Sequence, residues 1–169
     1  MFDKTLSIEI RLRGKYLRFS AEIERLLIKN IILCHEEKIA LTRINEPFDF
    51  EHLMFHQKID KLNDLLMELH ADLRQAYSDL FVHLNEFKIM RNKMAHCRFS
   101  WHEKDLEHVW IWELTTKNRI PGFEPVQYTL DEIHHCLKES TENIVGDLNK
   151  LTKEIGKRLE SRIPHMFAK

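Results

Sequence analysis

From Phe48 to Ile120 the chain carries neither glycine nor proline. No other feature constrains the fold as strongly. Glycine and proline are the strongest local breakers, and a run without them cannot supply the tight turns of a sandwich or a barrel. Only four of each occur in 169 residues, so long helices should dominate. Apolar residues make up 43% and charged residues 31%, the balance of a globular chain and not of a disordered one. Lysine and arginine total 26 against 27 for aspartate and glutamate, a net charge of −1. That excludes an all-over polyanion-binding surface, so any nucleic-acid contact must be local. Uninterrupted apolar stretches are too short to span a membrane. Asp3, Lys4, Glu9 and Arg11 interrupt what would be a signal core. Three widely spaced cysteines, Cys34, Cys97 and Cys136, fit a reducing compartment better than a disulfide scaffold. The expectation is a cytoplasmic protein that needs no cofactor.

Apolar residues at helical spacing predict a first helix over about 15–38, carrying Phe19, Ile23, Leu26, Leu27, Ile31 and Leu33. Asn45 and Pro47 mark the connection that follows. Phe55, Ile59, Leu62, Leu66 and Leu69 form the stripe of a second helix. Asp72 with Gln75 three residues on reads as a capping box opening a third helix. Its stripe runs Leu73, Tyr77, Leu80, Leu84, Phe87, Arg91 and Met94. Trp110, Trp112 and Leu114 alternate with Val109, Ile111 and Glu113, which is a strand period. Pro121 and Gly122 follow, then Val126 to Tyr128. A hairpin alone is marginal in water, so its tryptophan face is expected to pack on the helices. Thr129 and Glu132 form a second capping box, and Leu130, Ile133, Leu137, Ile144, Leu148, Leu151, Ile155 and Leu159 keep one helical face until Pro164. The expected fold is all-α: an up-and-down bundle of four main helices in a single domain over 1–169. A short β-hairpin at about 109–128 is inserted before the last helix.

The segment from Asn85 to His96 carries the chemistry. Arg91 falls on the third helix's apolar stripe. A bare guanidinium in a dry core is very costly, so Arg91 must be paired, hydrated or facing a cleft. Asn92 and His96 are four apart and share a helix face. Arg91 and His96 are five apart, about 140° around the axis, and do not stack directly.

Arg91-Asn92-Lys93-Met94-Ala95-His96 is similar to the RxxxxH signature of the HEPN superfamily (higher eukaryotes and prokaryotes nucleotide-binding domains). It has that signature's common form, with asparagine after the arginine and alanine before the histidine. The motif closes the third helix, as in that superfamily. The run from Phe55 to Ile59 and the hairpin leading into Thr129–Glu132 resemble one bacterial branch of it. By order of elements the resemblance spans about 21–159. It implies a homodimer with two motifs facing each other, in many cases a metal-independent endoribonuclease of the toxin or phage-defence kind. Carried over, the catalytic residues are Arg91, Asn92 and His96. RNA brings its own nucleophile, the 2′-OH, so the protein needs only proton transfer and charge stabilisation. Imidazole does the first near neutral pH; the guanidinium fork does the second. The products would be a 2′,3′-cyclic phosphate and a 5′-hydroxyl. Lys88, Arg98 and His102 flank the motif as candidate RNA-binding residues. The alternative is a catalytically silent HEPN-like dimer that binds RNA, a nucleotide or a protein partner, and a cognate antitoxin or regulatory protein would be a further partner.

Other signals are weaker. His52 and His56, and His134-His135-Cys136, suggest metal, but no HExxH or CxxC spacing accompanies them, and no metal is expected. No glycine-rich phosphate loop and no GxSxG elbow occurs. Cys97 beside His96 points about 100° away from it on a helix, so the two make a poor nucleophile–base couple. The tryptophan strand is a possible base-stacking platform, though packing on a helix is the plainer expectation. Arg11, Arg13, Lys15 and Arg18 form a basic group able to guide RNA.

Overall fold

The computed structural model describes residues 2–44, 49–50, 52–102, 105–117 and 120–163, without the side chains of 2, 3, 102, 113–117, 120–123 and 140. The chain is mostly helical and carries one small antiparallel sheet. Five helices lie among the described residues: α1 (Phe2–Thr42), α2 (Phe55–Leu69), α3 (Ala71–Ala76), α4 (Ser78–His96) and α5 (Leu130–Arg162). Three strands fall between the last two: β1 (Arg98–His102), β2 (Asp105–Lys117) and β3 (Ile120–Thr129).

The first helix is longer than the apolar stripe suggests. Leu6, Ile10 and Leu17 are exposed, and among the described side chains before Ser20 only Leu12 and Tyr16 are buried, so periodicity alone does not reveal the N-terminal turns. Gly14 meets no atom where a Cβ would sit and leaves the helix intact. At its other end Arg43 takes a left-handed φ of 59°, and its amide closes on the Ile39 carbonyl at 2.7 Å, an αL stop made without glycine. Asn45, Pro47 and Pro164, read as breakers, lie outside the described residues.

The chain divides into two compact units. Unit one comprises 1–20 and 86–140, unit two 21–85 and 141–169. Unit two is a helical bundle. Ile23, Leu27 and Ile31 of α1, Leu62 and Leu66 of α2, and Leu148, Leu151 and Ile155 of α5 are all buried. Each such side chain contributes roughly 2 kcal/mol by leaving water. Asn30 donates to the Leu26 and Leu148 carbonyls at 2.9 and 3.2 Å. Lys58 is buried and donates to Glu24 at 2.9 Å.

The break between the second and third helices also differs from expectation. The chain leaves α2 at His70, whose ring is buried with Nε2 2.7 Å from the fully buried Glu37. Arg162 donates to the other Glu37 oxygen at 2.6 Å. Asp72 is therefore not the N-cap of a long helix. It sits inside the six-residue α3, and Arg158 grips its carboxylate at 2.9 and 2.6 Å. That grip holds the acid well below the usual carboxylate range.

In unit one the expected hairpin is a three-stranded sheet of order β1-β2-β3. Its β2–β3 arm pairs out to Lys117–Ile120. Pro121 and Pro125 are tolerated because β3 is an edge strand. The faces are the reverse of the expectation. Val109 and Ile111 are fully buried, and Phe99 joins them. Trp110 and Trp112, one residue out of phase, stand on the opposite face, part-buried. The alternation is legible, but Val109 and Ile111 take the core side and Trp110 and Trp112 the other.

The Thr129–Glu132 box forms as expected. The Glu132 amide donates to Thr129 Oγ1 at 3.0 Å, and the Thr129 amide to Glu132 Oε2 at 2.7 Å.

Candidate functional site at the end of helix α4

The motif lies in unit one, on the last turns of α4. Phe87 anchors that segment. It is fully buried and stacks on Tyr16 of α1, with ring centroids 6.0 Å apart and planes inclined by 25°. Tyr16 in turn donates its hydroxyl to the Ile133 carbonyl of α5 at 3.1 Å. Burial pushes the Tyr16 phenol above its ordinary range, and the Cys136 thiol beside it adds to the rise. The phenol therefore stays a donor at every working pH. Met94 packs inward at 1% exposure.

Two cations fix the helix end. The last carbonyls of an α-helix have no partners within the helix. Arg13 of α1 donates Nη1 to the Met94 carbonyl and Nη2 to the Cys97 carbonyl, the latter at 2.7 Å. Its Nε reaches Glu9 at 2.8 Å, and the guanidinium lies 4.4 Å over the Phe99 ring. Lys93 donates to the Tyr128 hydroxyl of β3 at 2.7 Å. The turn bearing the motif is thus tied to α1 and to the sheet.

Arg91 is part-buried, and its Nη1 donates to Asn92 Oδ1 at 3.1 Å. Asn92 and His96 are both exposed, one turn apart on the outer face of α4. Ile89 shares that face at 54% exposure. His96 is the last residue of the helix. The structure therefore brings Arg91 and Asn92 together and aligns Asn92 with His96. Among the described residues no hydrogen bond joins Arg91 to His96.

The flanking candidates scatter. Lys88 is part-buried on α4, two turns before the helix ends. Arg98 opens β1, exposed, with its Cα paired to that of Trp112. His102 ends β1, and its side chain lies outside the described ones. Arg13, one of the basic group expected to guide RNA, is instead the cap of α4. The sequence held one clue: Arg13 sits about 200° around the helix from Arg11, off the face shared by Arg11, Lys15 and Arg18. Nothing local announces the contact between Lys93 and Tyr128. Among the described residues no cluster of three histidine, cysteine or acidic side chains could hold a metal.

No family model matches the chain, and neither the curated proteins nor the solved structures contain a match to it.

Proposed function

We propose that the chain is a metal-independent endoribonuclease of HEPN type, built on an up-and-down helical bundle and acting as a homodimer. The observation that carries this reading is the placement of RNKMAH. His96 stands exposed on the last residue of α4, Asn92 lies one turn behind it on the same face, and Arg91 is bonded to Asn92. In the proposed reaction the 2′-OH of a ribose attacks the adjacent phosphorus. One imidazole takes its proton. The P–O5′ bond breaks and the leaving oxygen is protonated. One chain offers one motif histidine, and two copies supply both a base and an acid. Arg91 offsets charge building on the phosphate oxygens. The products are a 2′,3′-cyclic phosphate and a 5′-hydroxyl end.

The test is cleavage of single-stranded RNA in EDTA. His96→Ala should lower the rate by about 100-fold or more, the usual contribution of a general acid or base. A 2′-deoxy nucleotide at the cut position should abolish cutting there. Cleavage that survives His96→Ala defeats the reading.

A second reading is favoured by one observation: Arg91 donates to its own neighbour Asn92, and among the described residues no hydrogen bond links it to His96. A catalytically silent dimer that binds RNA or a partner fits that arrangement. It predicts no cleavage product under any condition and RNA binding indifferent to His96→Ala.

A further inference from the structure

The tryptophans of β2 are absorbed by neither the core nor the motif. In an antiparallel sheet directly paired residues share a face. The register places Arg98 opposite Trp112 and Ser100 opposite Trp110 on one side, and Trp112 opposite Pro125 and Trp110 opposite Gln127 on the other. These six residues thus form one surface. Arg98, Pro125 and Gln127 are exposed. The opposite face holds Phe99, Val109 and Ile111, all buried. Trp110 and Trp112 are part-buried on this face, turned away from the side that Phe99, Val109 and Ile111 share.

The chemistry of this face is specific. Trp112 donates Nε1 to Ser100 Oγ at 2.7 Å, which fixes the plane of its ring. Among the described residues Arg98 makes no ion pair or hydrogen bond, and no carboxylate belongs to the six. Flat aromatic rings, one uncommitted guanidinium and one exposed amide suit unpaired bases strung on a phosphate backbone. The face begins two residues beyond His96, in the same unit.

We infer that this outer face of the sheet, where Trp110 and Trp112 lie beside Arg98 and Gln127, stacks the bases of single-stranded RNA and leads the strand to His96. The choice of RNA rests on the endoribonuclease reading; the binding itself is tested apart from it.

The experiment titrates the His96→Ala protein with a single-stranded oligouridylate and follows tryptophan fluorescence. Saturable quenching is expected. Trp110→Leu should weaken binding about tenfold or more, the scale of one lost stacking contact. Trp110 makes no hydrogen bond among the described residues, so the substitution should leave the thermal midpoint close to the parent's. Arg98→Gln, at an exposed position, is the second variant. It should weaken binding several-fold and reduce the salt dependence by about one phosphate contact. The same strand annealed to oligoadenylate should bind at least about tenfold more weakly, because paired bases offer no free faces.

The two readings fail separately. If the parent never cleaves RNA but Trp110→Leu and Arg98→Gln lose binding, the nuclease falls and the platform stands. If binding is untouched by both variants, the platform is overturned whatever the cleavage result. If the variants change the sedimentation of the protein and not its RNA affinity, the face is a protein interface and the inference fails.

Discussion

Arg13 shows how one side chain can set the end of a distant helix. Its planar fork spans two carbonyls that the α4 ladder leaves unpaired, and the same group lies over Phe99. Removing it strands both carbonyls in a part-buried setting. Hydrogen bonds to a charged donor contribute about 1.5–3 kcal/mol. Arg13→Ala should therefore lower unfolding stability in urea by about 2 kcal/mol. Arg13→Lys should recover less than half of that, because one ammonium cannot reproduce a two-pronged contact. A loss under about 0.5 kcal/mol, the range of an ordinary surface change, would mean that the cap contributes nothing.

At the scale of elements, legibility tracks the distance between cause and effect along the chain. The Thr129–Glu132 box is made within four residues, and it stands where the sequence puts it. The kink at His70 is not legible, because its cause, Glu37, lies far away on α1. Asp72 fails as an N-cap through the same kind of remote claim, made by Arg158. The strand period at β2 is plain, but apolarity alone cannot decide whether valine and isoleucine or tryptophan faces the core. Around the motif, the capping of α4 by Arg13 and the bond between Lys93 and Tyr128 are likewise long-range and silent in the sequence.

The box itself makes a test with a definite sign. The Thr129 amide, then the Thr129 side chain, hold Glu132 below its ordinary value of 4.5. A carboxyl depressed on folding contributes stability that is complete above its unfolded value and is lost as pH falls through the folded one. Glu132→Gln should therefore be less stable than the parent at pH 7, and the gap should close as the pH drops below about 4.5. Thr129→Ala should cost about 1 kcal/mol at neutral pH. Chemical unfolding at pH 3, 4, 5 and 7 checks both. A gap for Glu132→Gln that widens on acidification contradicts the geometry.

Across the whole molecule the charges nearly cancel, yet they are unevenly placed. Between Lys4 and Arg18 there are five cations and one carboxylate, Glu9, and Glu9 is taken by Arg13. The remaining four, Lys4, Arg11, Lys15 and Arg18, are exposed and make no hydrogen bond or ion pair among the described residues. At 100° per residue they fall within an arc of about 60°, and at 1.5 Å per residue they extend over about 21 Å. Lys4, Ser7 and Arg11 also line an open cleft of about 350 Å³ together with Leu106 of β2. Like charges four apart on a helix repel one another, so such a row is favoured where a polyanion lies along it. With a net charge of −1, the rest of the molecule contributes little long-range attraction, and on the proposed reading the salt dependence of RNA binding should count this row together with Arg98. Single-stranded binding loses about 0.7 in log–log slope per neutralised phosphate. Five contacts then give a slope of about −3.5, and Arg11→Gln with Lys15→Gln should bring it to about −2. Affinities of the His96→Ala protein for a single-stranded oligonucleotide between 50 and 300 mM salt, read with and without the paired substitution on the order of these slopes, decide the matter. An unchanged slope would place the phosphates elsewhere on the surface.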